Sequence, residues 1–485
     1  MSDEVLKQIA DTMAQQTALL SAMQEKELHT KAPANYNTAT MLHGNAGIFG
    51  VPGIDRDVIT AHVRPYGLAS ALPMIPTRYE SPRYATLTGY TDVVGSEPTY
   101  PCEDAPAGYV KGCNLTAQFG RVARQTQTIE IDKVILQRNR GDMTDLVLRG
   151  AVLDPTSPFH PADLSDMDIL NLVVKSEMVG VGVQMERRLN TMMWQGTPTS
   201  NTAGGGYKEF PGLDLQIATG QKDADTGTTC PALDSDVKDF NYSLVDGSDK
   251  DIVEYMSMVE FYLRNNAMRM GLMPASWVWV MRPELWFELS AVWPCRYNTN
   301  KCNVIDTAGI DTVPMYDAAD GTRTRDAMRN GMYIDVNGNR YPVVVDDGIY
   351  EHNNINNAHL AAGEYASSVY MVPMTITGNF RVAYMEYLDY RAAMPEIALL
   401  RGKEMFWTDD GRFMWAMDDN KFCFTLTAKT EPRVILRTPQ LAGKIQNVKY
   451  TPLQHMRSSD PDSEYFKDGG VSLRSASTLY AAWRQ

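Results

Sequence analysis

Residues 165–196 read SDMDILNLVVKSEMVGVGVQMERRLNTMMWQG, and the reading of this stretch sets the scale of the fold. Met167, Leu170, Val174, Met178, Val181, Met185, Leu189 and Met192 recur at three- and four-residue steps, which puts them on one face of an α-helix. Ser165 with Asp168 makes a variant of the capping box, and Gly196 stops the run. At about 1.5 Å per residue a helix from Asp166 to Trp194 is roughly 40 Å long, beyond the ordinary globular helix. Gly180 and Gly182 each weaken its middle by about 1 kcal/mol relative to alanine, so close approach of another backbone is expected there.

Upstream of this helix the pattern is β. Thr116–Ile131 (TAQFGRVARQTQTIEI) is rich in β-branched residues and ends in polar–apolar alternation, and Tyr84–Val93 suits its partner strand. Between them Gly95–Gly112 carries Pro98, Pro101 and Pro106, the composition of an open tip. A two-stranded ribbon so poor in apolar residues cannot bury itself and is expected to lie against something else. Nearer the N-terminus, Ser2 can cap a helix whose Leu6, Ile9, Met13, Leu20 and Met23 form a stripe with Gln16 as the polar exception. That stripe suits either a partner helix or the helix's own domain. Pro33 ends it, and an irregular arm follows, HGNAGIFGVPG at 43–53.

Downstream, residues 195–250 read as loop, with an acidic stretch from Asp223 to Asp251. A helix is expected over 251–270, then a strand at Ser276–Met281 and a helix at Pro283–Val292, an α/β layer. Asn337-Gly338, between MYIDV and NRYPVVV, signals a type I′ hairpin. Further strands are expected at Ser367–Thr375, Phe380–Tyr387, Arg412–Met417, Lys421–Thr427 and Arg433–Leu436, and residues 441–485 read as a polar tail of basic character. No fixed-period repeat is visible. The fold class is α+β.

Bulk properties narrow the function. The 485 residues carry a formal net charge of −14, the wrong sign for a chain whose main work is gripping nucleic acid. Hydrophobic residues make up 44 %, ample for a core, yet no run of about 18 apolar residues suggests a membrane span. The N-terminal segment lacks the apolar stretch of a signal peptide. Six cysteines, Cys102, Cys113, Cys230, Cys295, Cys302 and Cys423, form no CxxC pair and suit reduced thiols inside a cell.

Catalytic signatures are missing: no phosphate-binding GxxxxGK[ST], HExxH, GxSxG or strand-borne GxGxxG occurs. Gly204-Gly205-Gly206 reads as a flexible turn. Asp225-Thr226-Gly227 has the tripeptide of aspartic proteases, but it follows polar residues rather than an apolar strand and reads as a solvated loop. The same loop misses the calcium-loop spacing by one residue. His352 and His359 have no further ligands in register and read as surface histidines. Two charge features stand out. Asp223–Glu254 holds nine carboxylates, while Lys429–Arg457 holds six cations against Glu431. Such patches can pair head to tail between neighbouring subunits, or remain two solvated faces. Twenty-eight methionines, among them Met256, Met258, Met268, Met270 and Met273, offer adaptable packing for the core or for varied neighbours.

The order of elements resembles the coat fold of tailed bacteriophages, which is shared with the herpesvirus capsid floor and with encapsulins. The residues that carry the resemblance are the ribbon from about Tyr84 to Ile131, the helix Asp166–Trp194, the segment GGGYKEFPGLDL after it, and SWVWVMRPELWFEL, a strand entering a helix through Arg-Pro. The resemblance implies an N-terminal helix and arm (1–65), a peripheral domain beginning at 66–83, and the extended β ribbon or E-loop (84–131). The peripheral domain with its spine helix (132–204), an axial domain (205–357), a returning peripheral β layer (358–440) and a C-terminal tail (441–485) complete it. It further implies a major capsid protein, not an enzyme, with no catalytic, cofactor-binding or metal residues. Subunits would form pentamers and hexamers of an icosahedral shell around double-stranded DNA, assembled in the host cytoplasm and carried in the virion. Scaffolding, portal and decoration proteins are the implied partners, without a membrane. The short N-terminal helix favours a separate scaffolding protein or none. Lys111 lies where some relatives cross-link, but no partner Asn or assisting Glu is identified. Candidate inter-subunit contacts are Lys111, Arg121, Arg124, Asp234, Asp236, Arg433, Arg437, Lys444 and Lys449. The alternatives are an encapsulin-like compartment shell and a soluble hydrolase using the loop 223–251.

Overall fold

The computed structural model describes residues 66–78, 83–87, 113–116, 118–126, 128–130, 166–198, 209–244, 252–299, 318–389, 392, 405–407, 412–420 and 423–452. The expected N-terminal helix and arm, the ribbon tip with Lys111, and the glycine run at 204–206 lie outside the described residues. In chain order the elements are α1 (Leu68–Ala71), β1 (Met74–Thr77), β2 (Arg83–Ala85), β3 (Asn114–Thr116), β4 (Val122–Gln125), β5 (Ile129–Glu130), α2 (Asp166–Gln195), α3 (Leu213–Gln216) and β6 (Asp236–Asp239). Then come α4 (Ile252–Arg269), β7 (Ser276–Met281), α5 (Pro283–Thr299), α6 (Ala318–Gly331), β8 (Tyr333–Val336), β9 (Asn339–Val345), β10 (His352–Asn353), β11 (Tyr365–Ile376) and β12 (Phe380–Arg381). Last are β13 (Ala383–Leu388), β14 (Met405–Trp407), β15 (Met414–Asn420), β16 (Cys423–Thr430), β17 (Pro432–Leu436) and β18 (Gly443–Tyr450). The fold is α+β, as expected.

The described residues fall into two compact units, one drawn from within 125–182 and 394–428, the other from within 64–124, 183–393 and from 429 onward. In the first, β14, β15 and β16 are successive neighbours, and β5 pairs antiparallel with β16. Thr126 seals that edge: its N–H donates to Leu426 O (2.8 Å) and its Oγ1 accepts from Leu426 N (3.0 Å). Trp415, Leu426 and Ile129 are buried there, and Arg412, stacked 4.5 Å over the Phe413 ring, is pushed down to about 10 by burial.

The second unit is organised by a mixed sheet in the order β6-β18-β11-β7-β9-β8, with β10 and β12 also on β11. Central β11 is buried continuously from Ala366 to Val372, so both faces of the sheet are covered. Val369 and Met371 point into the core that α4 and α5 close with Met256, Val259, Leu263, Trp286 and Leu289. Tyr370, on the opposite face, stacks on Trp194 of α2 with centroids 4.7 Å apart. A second sheet, β1-β13-β17, has β1 parallel to β13. Buried Gln216 ties its edge strand β17 to Tyr84 of β2 and to the chain before α3. Its Nε2 donates to Pro211 O (2.8 Å) and Val434 O (3.0 Å), and its Oε1 accepts from Leu436 N (3.0 Å) and Tyr84 OH (3.0 Å).

Several expectations need correction. The close approach expected at Gly180 is not there, since a Cβ at Gly180 would meet nothing within 4 Å. Close backbone contact occurs instead at the C-terminal end of α2, where Gly212 N donates to Gly196 O (2.8 Å) and leaves no room for a side chain at either glycine. Residues 443–450 are not tail but strand β18, between β6 and β11. Its period-2 pattern is hidden by a register shift opposite Ser367–Val369 and by Asn447 at φ 61°, so that Ile445 and Val448 both point inward. The boundary expected at 357/358 does not divide the sheet, because β11 and β18 pair into the layer that holds β7 and β9. α5 runs on to Thr299, and α6, in which Met328 is buried, went unread because its sequence AADGTRTRDAMRNG is so polar. Cys113 and Cys230, expected as free thiols, are joined by a disulfide.

Candidate assembly surface

α4 (IVEYMSMVEFYLRNNAMR) carries two stripes. The inner one, Ile252, Met256, Val259, Leu263 and Ala267, is fully buried against the sheet. The outer one is also apolar: Met258 is 44 % exposed, Phe261 68 %, Tyr262 51 % and Met268 53 %. Met258, Phe261 and Tyr262 are neighbours on the helix surface, and Met268 follows beyond exposed Asn265, so the outer face carries large hydrophobic groups in solvent of the kind that mark a protein–protein contact.

The helix presenting this patch is held rigidly. Glu260, 1 % exposed, turns inward and accepts from Tyr341 OH (2.5 Å), Asn337 Nδ2 (2.6 Å) and Asn339 Nδ2 (3.1 Å). Asn337 also donates to Ser257 O (2.8 Å). These asparagines flank the hairpin turn, where Asn337 at φ 51° and Gly338 at φ 77° give the type I′ geometry expected from the sequence. Burial, and the bond to Glu260, push the Tyr341 hydroxyl well above its ordinary range. The turn that closes β8 and β9 therefore also clamps α4.

A second presented group is Ile355, 88 % exposed at the tip of the loop after β10. Asparagines fix that loop. Asn353 Oδ1 accepts from Ile355 N (3.0 Å), Asn356 Oδ1 from Asn353 N (2.9 Å), and Asn357 Nδ2 donates to Asn447 Oδ1 (2.7 Å). The sequence flagged this Asn-rich loop for its histidines, but its protruding side chain is an isoleucine.

Most of the charged contact candidates have partners within the chain. Arg121 Nε donates to Glu431 Oε1 (2.6 Å), which also meets Lys429 Nζ (2.8 Å). Buried Arg433 pairs with Glu386 (Nε to Oε2, 2.7 Å) and lies 4.2 Å over the Phe119 ring. Arg437 donates to Tyr384 OH (2.8 Å), Lys444 to Asp214 (2.5 Å) and Lys449 to Glu364 (2.7 Å). Asp234 accepts from Gly220 N (2.8 Å) and Gln221 N (3.1 Å), and Asp236 pairs with Lys238 (2.9 Å). Arg124 is exposed on β4. The acidic and basic stretches meet inside one chain, because β6 runs parallel beside β18.

The acidic loop is likewise absorbed. Backbone N–H groups of Asn114 and Thr226 hold the Asp223 carboxyl below its usual range, and Asp225 takes Arg83 and Asn114 Nδ2 (2.5 Å). These two are structural acceptors rather than a converging acid and base, and Asp246, Asp249 and Asp251 of the same loop lie outside the described residues. No group of three or more His, Cys, Asp or Glu is arranged to hold a metal among the described residues. Within the methionine group, Met256 is buried, Met270 and Met273 pack partly against the core, and Met258 and Met268 face outward. Sequence reasoning treated the group as one. The signal that separates them is the double stripe of α4.

No family model matches the chain, and no curated protein matches it. Among solved structures, the chain is similar to the capsid asymmetric unit of Cyanophage A-1(L), with 14 % identity and TM-score 0.45 over 86 % of this chain and 97 % of that one. It is similar to the capsid of Ralstonia phage GP4, with 9 % identity and TM-score 0.42 over 81 % and 93 %. The holo-SrpI encapsulin complex from Synechococcus elongatus matches with 10 % identity and TM-score 0.35 over 80 % and 90 %.

Proposed function

We propose that this chain is the major capsid protein of a tailed double-stranded DNA bacteriophage, a subunit that associates with copies of itself into pentamers and hexamers of a closed icosahedral shell. The observation that carries the proposal is the outer face of α4, where Met258, Phe261, Tyr262 and Met268 stand in solvent on a helix clamped by Glu260. A rigid scaffold under an apolar patch favours association, since little ordering cost remains to be met when a partner docks. The element order adds support: the long helix α2, the foot of a β ribbon at β2 and β3, and a sheet layered with helices are the parts a coat subunit of this kind uses.

In this reading the sheet of the second unit, with α4, belongs to the axial domain, the ribbon 84–131 reaches a neighbouring subunit, and the basic stretch 429–457 is structural rather than DNA-gripping. Net acidity suits a shell that must let DNA enter and leave. Scaffolding, portal and decoration proteins are the further partners, and the virion is the location.

The test is negative-stain electron microscopy with light scattering on the purified chain. Closed particles or rings of five and six subunits are expected. Nucleic acid inside native particles distinguishes a virion from an encapsulin-like compartment. A monomer that stays monomeric when a scaffold is supplied overturns the proposal.

A further inference from the structure

We infer that Cys113 and Cys230 form an oxidative modification site: a dithiol that a small-molecule disulfide converts into a covalent latch at the foot of the β ribbon. The pair is positioned by bonds that do not involve sulfur. Cys113 O accepts from Thr86 N (3.0 Å), while Cys230 N donates to Gln221 O (2.8 Å) and Cys230 O accepts from Leu233 N (2.9 Å). Beside them Asn114 N donates to Asp223 Oδ2 (2.9 Å) and Ala224 N donates to Asn114 O (2.7 Å). The two backbones are thus held with Cα atoms 6.8 Å apart, within the span a disulfide bridges.

The two thiols differ in access. Cys113 is half-buried, whereas Cys230 sits in an apolar cluster with Tyr84, Leu115, Leu233, Tyr384 and Ile435. Cys113 is therefore the first to react. Its thiolate attacks one sulfur of a small-molecule disulfide such as oxidised glutathione, forming a mixed disulfide and releasing one small thiol. The Cys230 thiolate then attacks Cys113 Sγ and expels the second. Two protein thiols are oxidised, one small disulfide is reduced, and the two protons end on the released thiols.

Closure would matter because β2 and β3 pair over three residues only, and a two-stranded sheet that short is marginal without reinforcement. The latch ties β3 to the loop 221–235 across 117 residues of sequence. It fixes Cys113 at the start of β3. The expectation of reduced thiols from the sequence then describes the open form, and the structure holds the closed one. This inference stands whether or not the chain builds a shell.

The test uses the full chain, reduced and then treated with oxidised glutathione, with differential alkylation and peptide mass mapping. Cys113 and Cys230 are expected to be alkylated before treatment and joined to each other after it, while Cys423, free in the structure, serves as the internal control. Amide exchange of residues 113–116 is expected to slow about tenfold on oxidation. It should not slow in Cys230→Ser or in Cys113→Ser/Cys230→Ser, and the reduced wild type supplies the same comparison if either variant folds poorly. Cys113 left alkylatable, or joined to a different cysteine, overturns the site. A correct bond with unchanged exchange overturns the latch.

Discussion

At the scale of single residues, Asp346, which the sequence did not single out, joins distant parts of the chain. It follows β9, and its carboxylate accepts from Leu68 N (2.8 Å), Asn190 Nδ2 (2.6 Å) and Gly348 N (2.9 Å), so the chain around α1, helix α2 and the turn after β9 meet on one side chain. Gly67, at φ 60°, passes so close that an added Cβ would press into the carboxylate. Asp346→Asn keeps the size but points an N–H at one of three donors. A loss of about 1–3 kcal/mol is expected, seen as a lower urea midpoint with unchanged slope. Burial raises the Asp346 carboxyl above its ordinary value in spite of these bonds. The folded state then holds a proton that the unfolded state has released, so stability falls as pH rises from the ordinary aspartate range through the raised value. Asp346→Asn should flatten that part of the pH profile. An identical slope in the variant would assign the titration to another group.

At the scale of elements, α4 separates packing from presentation. Phe261→Glu is expected to leave the unfolding free energy within about 0.5 kcal/mol, because the ring is exposed, while abolishing association in light scattering. Glu260→Ala, one residue away, should do the reverse at first: three donors lose their acceptor, and stability falls by about 2–4 kcal/mol. Intact assembly in Phe261→Glu would remove this face from the contact. The contrast also marks what the sequence could tell. Long periodic elements were legible: α2 was expected at 166–194 and spans Asp166–Gln195, and the strand expected at Ser276–Met281 is β7. The hairpin at Asn337-Gly338 was legible because its backbone needs positive φ at both positions. β18 was not, because a bulge breaks the alternation, nor was α6, whose few apolar residues do not announce a core helix. The outer face of α4 stayed unread because apolar residues on two faces of one helix look like a single buried helix.

At the scale of the whole molecule, the proposed assembly has to hold copies together against a net charge of −14 on each. The sequence offered charge pairing between acidic and basic stretches of neighbouring subunits. Yet Arg121, Asp234, Asp236, Arg433, Arg437, Lys444 and Lys449 all have partners within the chain. Among the described candidates Arg124 remains exposed, and the outer face of α4 offers apolar area for association, opposed by repulsion between acidic copies. The two accounts predict opposite responses to salt. If apolar burial drives assembly, raising sodium chloride from about 0.05 M to about 0.5 M shortens the Debye length severalfold, relieves the repulsion and lowers the protein concentration at which particles form. Cooling should act the other way, since apolar association weakens as temperature falls. If ion pairs between subunits dominate, the same salt dissolves the particles. Light scattering across a salt and temperature grid reads both. The expected outcome is assembly strengthened by salt and weakened by cold, and salt-dissolved particles would return the contact to the charged stretches.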